Sequence, residues 1–186
     1  MSKAIRITAK KAPESYDLGA SKFFGTPTVP IEWEGDFCED EIFFCQIRLS
    51  DIAALDKENR LPHTGYLYVF LKTEEGKYHL KADVRYHDGE PELAIDDFNA
   101  AIEGYEHYND AYLMKFSETD GSEDCTRLFG IPSGWDGADE PPMLFMQYDP
   151  LDNHMGFLDF IDGFVYFFFG EDKKGLKNII LMEDYS

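Results

Sequence analysis

Two segments of the chain carry the same landmarks in the same order, about a hundred residues apart. Each has an aromatic Gly-x-Pro turn, then a segment with a central glutamine, then an aromatic segment that follows a glycine. The first copy comprises residues 22–27, 43–47 and 65–70, and the second comprises 127–132, 144–148 and 163–168. Such self-similarity is typical of repeated units that bury a shared core. The sequence therefore predicts one domain, residues 1–186, with internal repeats at about 21–95 and 110–182.

The spacing of apolar residues predicts that the repeated segments are strands. Residues 42–49 and 144–149 alternate with a period of two, which is the period of a strand. The aromatic segments 66–71 and 164–169 are apolar on both sides, as in central strands that are covered on both faces. The predicted fold class is α+β and β-rich, with two similar, mostly antiparallel halves. Further strands are expected at 78–86 and 111–116, and short helices at 50–57 and 96–103.

The charge of the chain narrows the choice of partner. The formal net charge is −20 over 186 residues, while hydrophobic residues still make up 44% and can form a core. A surface this negative repels phosphate backbones and anionic lipid head groups. We therefore expect no nucleic-acid partner and no membrane partner, and the charge favours a basic protein partner instead.

The cysteines and the N-terminal residues indicate the cellular compartment of the protein. Cys38, Cys45 and Cys125 are odd in number and widely spaced, and no CxxC pair is present, so we expect free thiols in a reducing compartment. Residues 1–6 lead into polar sequence without the apolar core of a signal peptide. We predict a cytoplasmic protein without a metal site or cofactor, and the sequence predicts no oligomeric state.

Six motifs in a fixed order carry a resemblance to a known family. They are Gly25-Thr26-Pro27 and the segments 43–47, 61–70, 127–132, 144–147 and 163–168. In this order they resemble the YwqG-like family, bacterial proteins with a domain of unknown function, over roughly residues 21–182. The resemblance implies a β-rich fold of two similar halves and brings no established activity. Some relatives look like immunity proteins of bacterial toxin systems.

The chain departs from that family pattern at two places. Phe24 stands where the family usually has the first of two glycines before x-Pro. Residues 160–162 read Phe-Ile-Asp where the family tends to have Trp-Gly-Asp. A role tied to that tryptophan therefore does not carry over to this chain.

Gln46 and Gln147 are the most distinctive polar residues, because each is an amide among apolar neighbours at the same place in its repeat. Burying an amide without a partner costs about 1–3 kcal/mol, so each must be hydrogen-bonded. One interpretation is that the two amides flank a ligand cleft. The other is that each bonds the backbone of its own half, such as the Gly-x-Pro turn.

Two further pairs occupy corresponding positions. Arg48 and Asp149 follow the glutamines with opposite charge. They either pair with each other or face solvent, and a surface pair would contribute about 0–1 kcal/mol. Trp33 and Trp135 follow the two Gly-x-Pro turns. Beside carboxylates, such a tryptophan fits either an aromatic anchor on a partner-binding rim or a cap on the edge of a core.

No catalytic motif accompanies these residues, since the chain lacks GxSxG, a P-loop and GxGxxG. The leading interpretation is a binding protein, not an enzyme, of immunity or partner-neutralising type. Its predicted contact residues are Trp135 and the acidic loops 118–124 and 136–140. The alternative is a small-molecule-binding domain or hydrolase with a site in the groove between the halves. That groove would be lined by Gln46, Arg48, Gln147 and Asp149.

Overall fold

The computed structural model describes residues 3–38, 41–73, 80–101, 106–136, 140–152, 163–170 and 175–183. In these residues the fold is β-rich, as predicted, and no helix reaches seven residues. The strands are β1 Lys3–Lys11, β2 Lys22–Phe23, β3 Thr28–Val29, β4 Glu41–Arg48, β5 Tyr66–Thr73, β6 Leu80–His87, β7 Leu93–Ala94, β8 Tyr112–Asp120, β9 Arg127–Leu128, β10 Leu144–Tyr148, β11 Val165–Phe168 and β12 Ile180–Glu183. Short 3-10 helices span Ile31–Trp33, Leu49–Asp51, Phe98–Ala101, Glu106–Asn109 and Leu176–Asn178.

The chain divides into two compact units, which we call the central unit, Ala9–Met114, and the terminal unit, Met1–Thr8 together with Lys115–Ser186. In the central unit the strand order is β2-β4-β5-β6, and β3 pairs with β7 in a separate two-stranded sheet. In the terminal unit the order is β12-β11-β10-β9-β1-β8. The strand pairs between β4 and β5 and between β10 and β11 are antiparallel.

The aromatic strands are central in their sheets, as the two-sided apolar pattern predicts. β5 lies between β4 and β6, and every residue from Tyr66 to Leu71 is buried. On one face of β5 the rings of Tyr66, Tyr68 and Phe70 stack in a row. β11 lies between β10 and β12 and is buried as well. This confirms the prediction for both segments.

The prediction of a helix at residues 50–57 is wrong. A 3-10 helix covers only Leu49–Asp51, and turns follow it. The Asp56 side chain is fully buried, accepts the Leu61 N–H at 2.9 Å and pairs with Arg60 at 3.3 Å. An aspartate that binds the backbone in this way competes with helix formation, so the segment closes into a loop around the carboxylate.

The helix predicted at residues 96–103 is also wrong within the described residues, where a 3-10 helix covers Phe98–Ala101. Residues 102–105, including the expected glycine stop, lie outside the described part. The Asn99 side chain is fully buried and accepts the Phe43 N–H at 2.8 Å. Its amide nitrogen donates to the carbonyls of Phe43 and Tyr108, both at 3.1 Å. Asn99 thus fixes this segment to β4.

The remaining strand predictions are close to the observed bounds. β8 begins near residue 111, as predicted, and continues to Asp120. β6 runs from Leu80 to His87, while residues 78 and 79 lie outside the described part. β1, in which Ala4, Ile5 and Ile7 are buried, was not predicted from the sequence. None of the helices in the described residues is long and apolar enough to cross a membrane.

Candidate functional site

In the central unit, Gln46 of β4 fixes the Gly-x-Pro turn. Its Oε1 accepts the Thr28 N–H at 3.0 Å, directly after the turn proline. Its Nε2 donates to Leu18 O at 2.9 Å and to Ala20 O at 3.0 Å. The Gln46 side chain is fully buried. Both ends of the amide are therefore used within the unit, which supports the turn-fixing interpretation.

In the terminal unit, Gln147 of β10 does the same for the other Gly-x-Pro turn. Its Oε1 accepts the Ser133 N–H at 2.9 Å. Its Nε2 donates to Ser133 Oγ at 2.7 Å and to Cys125 O at 3.0 Å. Gln147 is also fully buried. A ligand contact by either glutamine stays a prediction.

A buried lysine lies opposite Gln46, which sequence reasoning missed. Lys22 is the register partner of Gln46 on the neighbouring strand, and it is fully buried. Its ammonium donates to Leu18 O and lies 5.5 Å from the centroid of the Tyr16 ring. Burial lowers the pKa of Lys22 to about 7. The ammonium therefore carries a desolvation cost that one backbone carbonyl only partly offsets.

A buried arginine lies opposite Gln147 in the corresponding register. Arg127 is fully buried, and burial lowers the pKa of its guanidinium. Its Nε donates to Glu123 O at 3.0 Å, and its Nη atoms donate to Phe129 O and Ile131 O. Nη2 also lies 3.3 Å from Gln147 Oε1. The signal that could have found Lys22 and Arg127 is that each begins its repeated motif with a positive charge.

Arg48 and Asp149 each have partners within their own unit. Arg48 Nη2 pairs with Asp17 Oδ2 at 2.6 Å, and Nε donates to the Tyr66 hydroxyl at 2.9 Å. The hydrogen bond between Arg48 and Asp17 raises the pKa of the guanidinium and lowers that of the carboxylate. Asp149 Oδ1 accepts the Leu151 N–H at 2.9 Å. These contacts organise local loops.

The two tryptophans lie in different surroundings. Trp33 is half-buried, and its ring meets the Tyr68 ring edge-on with centroids 5.3 Å apart. The Arg85 guanidinium lies 5.5 Å from the Trp33 ring centroid. Trp33 therefore caps the edge of the central core, which is one of the two roles considered for it. Trp135 is 38% exposed in the loop after the second Gly-x-Pro turn.

The loop that carries Trp135 lies directly beside an acidic turn. The Ile131 N–H donates to Gly121 O at 2.7 Å. A Cβ added to Gly130 would lie only 2.4 Å from the same oxygen. We call the combined surface, Asp120–Asp124 with Gly130–Asp136, the Trp135 surface. The structure thus joins Trp135 to one of its two predicted acidic loops, and residues 137–139 of the other lie outside the described part.

The Trp135 surface combines exposed carboxylates with exposed apolar side chains. Ile131 is 36% exposed, close to the value for Trp135. Hydrogen bonds from the Ser122 hydroxyl and amide lower the pKa of Asp120, so its carboxylate stays charged at neutral pH. Arg6 neutralises part of the turn by pairing with Glu123 at 2.6 Å. The exposed acidic residues of this surface are Asp120, Glu123, Asp124 and Asp136.

The described residues were also searched for a metal site. They contain no group of three or more histidine, cysteine, aspartate or glutamate side chains that could hold a metal ion. Comparison with protein-family models finds no match, and comparison with curated proteins finds none either. The resemblance to the YwqG-like family therefore rests on the order of the six motifs alone.

Proposed function

We propose that the protein binds a basic protein partner through the Trp135 surface, and that it acts by binding and not by catalysis. The observation that carries this proposal is the hydrogen bond from Ile131 to Gly121, which joins an exposed apolar loop to an acidic turn. The net charge of −20 supports the same kind of partner. A surface with an aromatic anchor and surrounding charge is typical of protein interfaces.

The two kinds of side chain have separate tasks in this proposal. Carboxylates such as Asp120 and Asp124 attract a positively charged partner over a distance and raise the association rate. Ile131 and Trp135 then bury apolar area against it and slow dissociation. The partner that fits this chemistry presents lysine or arginine residues around an apolar patch.

A difference between the units supports this location. In the central unit the residues after the turn proline, Thr28 and Val29, are buried and pair with β7. In the terminal unit the corresponding loop continues through Gly134 to Trp135 with both residues exposed. The exposed loop is therefore the better candidate for partner contact.

We also infer that the two units arose by duplication of one element. Gln46 and Gln147 each accept the N–H of the residue after a turn proline. Lys22 and Arg127 each donate to the carbonyl of the residue four positions earlier. Phe24 and Phe129 both have positive φ, and the hydroxyls of Ser21 and Thr126 accept the N–H groups of Arg48 and Asp149.

We further propose that the protein is a cytoplasmic, immunity-type member of the YwqG-like family. The order of the six motifs supports the family, and the acidic charge supports neutralisation of a basic toxin or a similar partner. A small-molecule or hydrolase site lined by Gln46, Arg48, Gln147 and Asp149 has less support. Both glutamines are fully buried and bonded within their own units, and Arg48 is already paired.

The proposal is tested by affinity capture from a lysate of the native host at low salt. The baits are the wild-type chain, a double variant Ile131→Ser/Trp135→Ser, and the control Ile31→Ser. Ile31 is 55% exposed beside acidic residues in the central unit, so it matches Ile131 in chemistry but not in place. We expect a basic protein that the wild type and the control capture and the double variant does not.

Two outcomes would contradict the proposal. If no basic protein is recovered with wild-type bait, the acidic surface does not serve this function. If Ile31→Ser loses the same partner and Ile131→Ser/Trp135→Ser keeps it, partner binding lies in the central unit instead.

A further inference from the structure

We propose that Arg127 is a positioning residue, which holds the two segments of the Trp135 surface in the arrangement that partner binding needs. The inference rests on the proposed function, since it concerns the same surface. Arg127 itself is fully buried and would not touch the partner. Its role would be to fix the backbone that carries Ile131, Trp135 and the acidic turn.

The hydrogen bonds of Arg127 reach both segments of the surface. Nε donates to Glu123 O in the acidic turn at 3.0 Å. The Nη atoms donate to Phe129 O and Ile131 O on the apolar loop. Nη2 also meets Gln147 Oε1 at 3.3 Å, and that oxygen accepts the Ser133 N–H in the same loop. One guanidinium therefore links the turn, the loop and the strand behind them.

The shape of the guanidinium makes this linkage specific to arginine. A planar fork with five N–H donors can bond several carbonyls in fixed directions, whereas an ammonium on a flexible stem cannot hold the same set. The central unit offers the comparison within one chain, because Lys22 occupies the corresponding position and donates to the carbonyl of Leu18. A loop held by several bonds is ordered before the partner arrives, so binding loses less conformational entropy.

The test uses Arg127→Lys, which keeps the positive charge and most of the volume. All proteins in this test carry Trp33→Phe, including the reference chain with Arg127 intact. The chain has two tryptophans, so this change leaves only Trp135. The readouts are hydrogen exchange of the Ile131 amide, acrylamide quenching of Trp135, and affinity for a synthetic peptide of alternating lysine and leucine. We expect exchange to be about tenfold faster, quenching to increase, and the peptide to bind about tenfold more weakly.

Lys22→Met is the matched control, because it removes an equally buried cation from the central unit. It should change the melting temperature while Ile131 exchange and peptide affinity stay at their reference values. Arg127→Lys with unchanged Ile131 exchange would overturn the proposal. If the reference chain does not bind the peptide but Arg127→Lys still speeds Ile131 exchange, the proposed function fails and the positioning role stands.

A measurement on the wild-type chain tests the proposal even if Arg127→Lys does not fold. The amides of Glu123, Ile131 and Ser133 all belong to segments that Arg127 or its neighbour Gln147 holds. If these segments open together, their native-state exchange gives one common opening free energy. Clearly different values for the turn and the loop would contradict the linkage.

Discussion

At the level of single residues, the hydrogen bonding of the two glutamines could be predicted from the sequence. The burial of the two cations could not. An amide inside an apolar strand has to be bonded, which predicts partners for Gln46 and Gln147, and the Gly-x-Pro turns are one of the two alternatives for those partners. Lysine and arginine are mostly exposed in proteins, so the charge of Lys22 and Arg127 argues against burial, and the one sequence signal for them is that each begins its repeated motif. Their burial follows from strand register, since each is the register partner of a buried glutamine on the adjacent strand.

Replacing Gln46 with leucine should lower the free energy of unfolding by roughly 2–4 kcal/mol, because it leaves the Thr28 N–H and the Leu18 and Ala20 carbonyls with fewer partners. Urea denaturation measures the loss. Glu58→Gln is the control, since the Glu58 side chain is 64% exposed and the change should have little effect. A Gln46→Leu variant as stable as the control would contradict the turn-fixing role.

Lys22 should make stability depend on pH. Burial lowers its pKa from an ordinary value of 10.5 to about 7, so the unfolded chain binds more protons than the folded chain between these values. Stability from this group therefore rises as the pH increases from about 7 towards 10.5. Denaturation of the wild type and Lys22→Met across this range should show the wild type gaining on the variant by about 4–5 kcal/mol. Parallel profiles would show that the Lys22 pKa is not lowered.

At the level of secondary-structure elements, the periodicity of apolar residues predicted the repeated strands correctly. The two predicted helices did not form. Alternation located β4 and β10, and two-sided apolarity located β5 and β11, because burial on one or both faces leaves a direct mark on sequence. The segment near Asp56 has helix-like composition, but a buried carboxylate bonds its backbone and stops the helix. That contact depends on the surrounding fold, so the local sequence does not reveal it.

The turn elements make a prediction with an internal control. Gly130 and Gly134 both have positive φ, of 96° and 74°, where any side chain is strained. A Cβ at Gly130 would lie 2.4 Å from Gly121 O, whereas nothing lies within 4 Å of one at Gly134. Gly134→Ala should therefore cost about 1 kcal/mol of stability, and Gly130→Ala about 3 kcal/mol or more. Equal losses in thermal denaturation would argue against the close approach of the loop and the turn.

At the level of the whole molecule, the charge of −20 is the dominant property. It acts against the compact state, because like charges repel when the chain folds. In the proposed function, the same charge favours a positively charged partner. The acidity is read directly from the sequence, and an exposed Trp135 agrees with one of its two interpretations, but the contact between Ile131 and Gly121 that completes the surface could not be predicted. That contact joins segments whose pairing no local pattern encodes.

Salt should stabilise the unliganded protein. Added NaCl screens the repulsion between surface carboxylates, so the melting temperature should rise between low and physiological ionic strength. Differential scanning calorimetry of the wild type at several salt concentrations measures this. A melting temperature that falls with NaCl would mean that attractive ion pairs, such as Arg6 with Glu123, outweigh the net repulsion.

We propose that a basic partner binds the Trp135 surface by charge and apolar anchoring together. The most direct test is calorimetric titration of the captured partner at increasing NaCl, with the wild type and with Asp120→Asn/Asp124→Asn. We predict that wild-type affinity falls steeply with salt and that the double variant binds more weakly at low salt with a shallower salt dependence. An affinity that does not change with salt, or a double variant that matches the wild type, would contradict the claim.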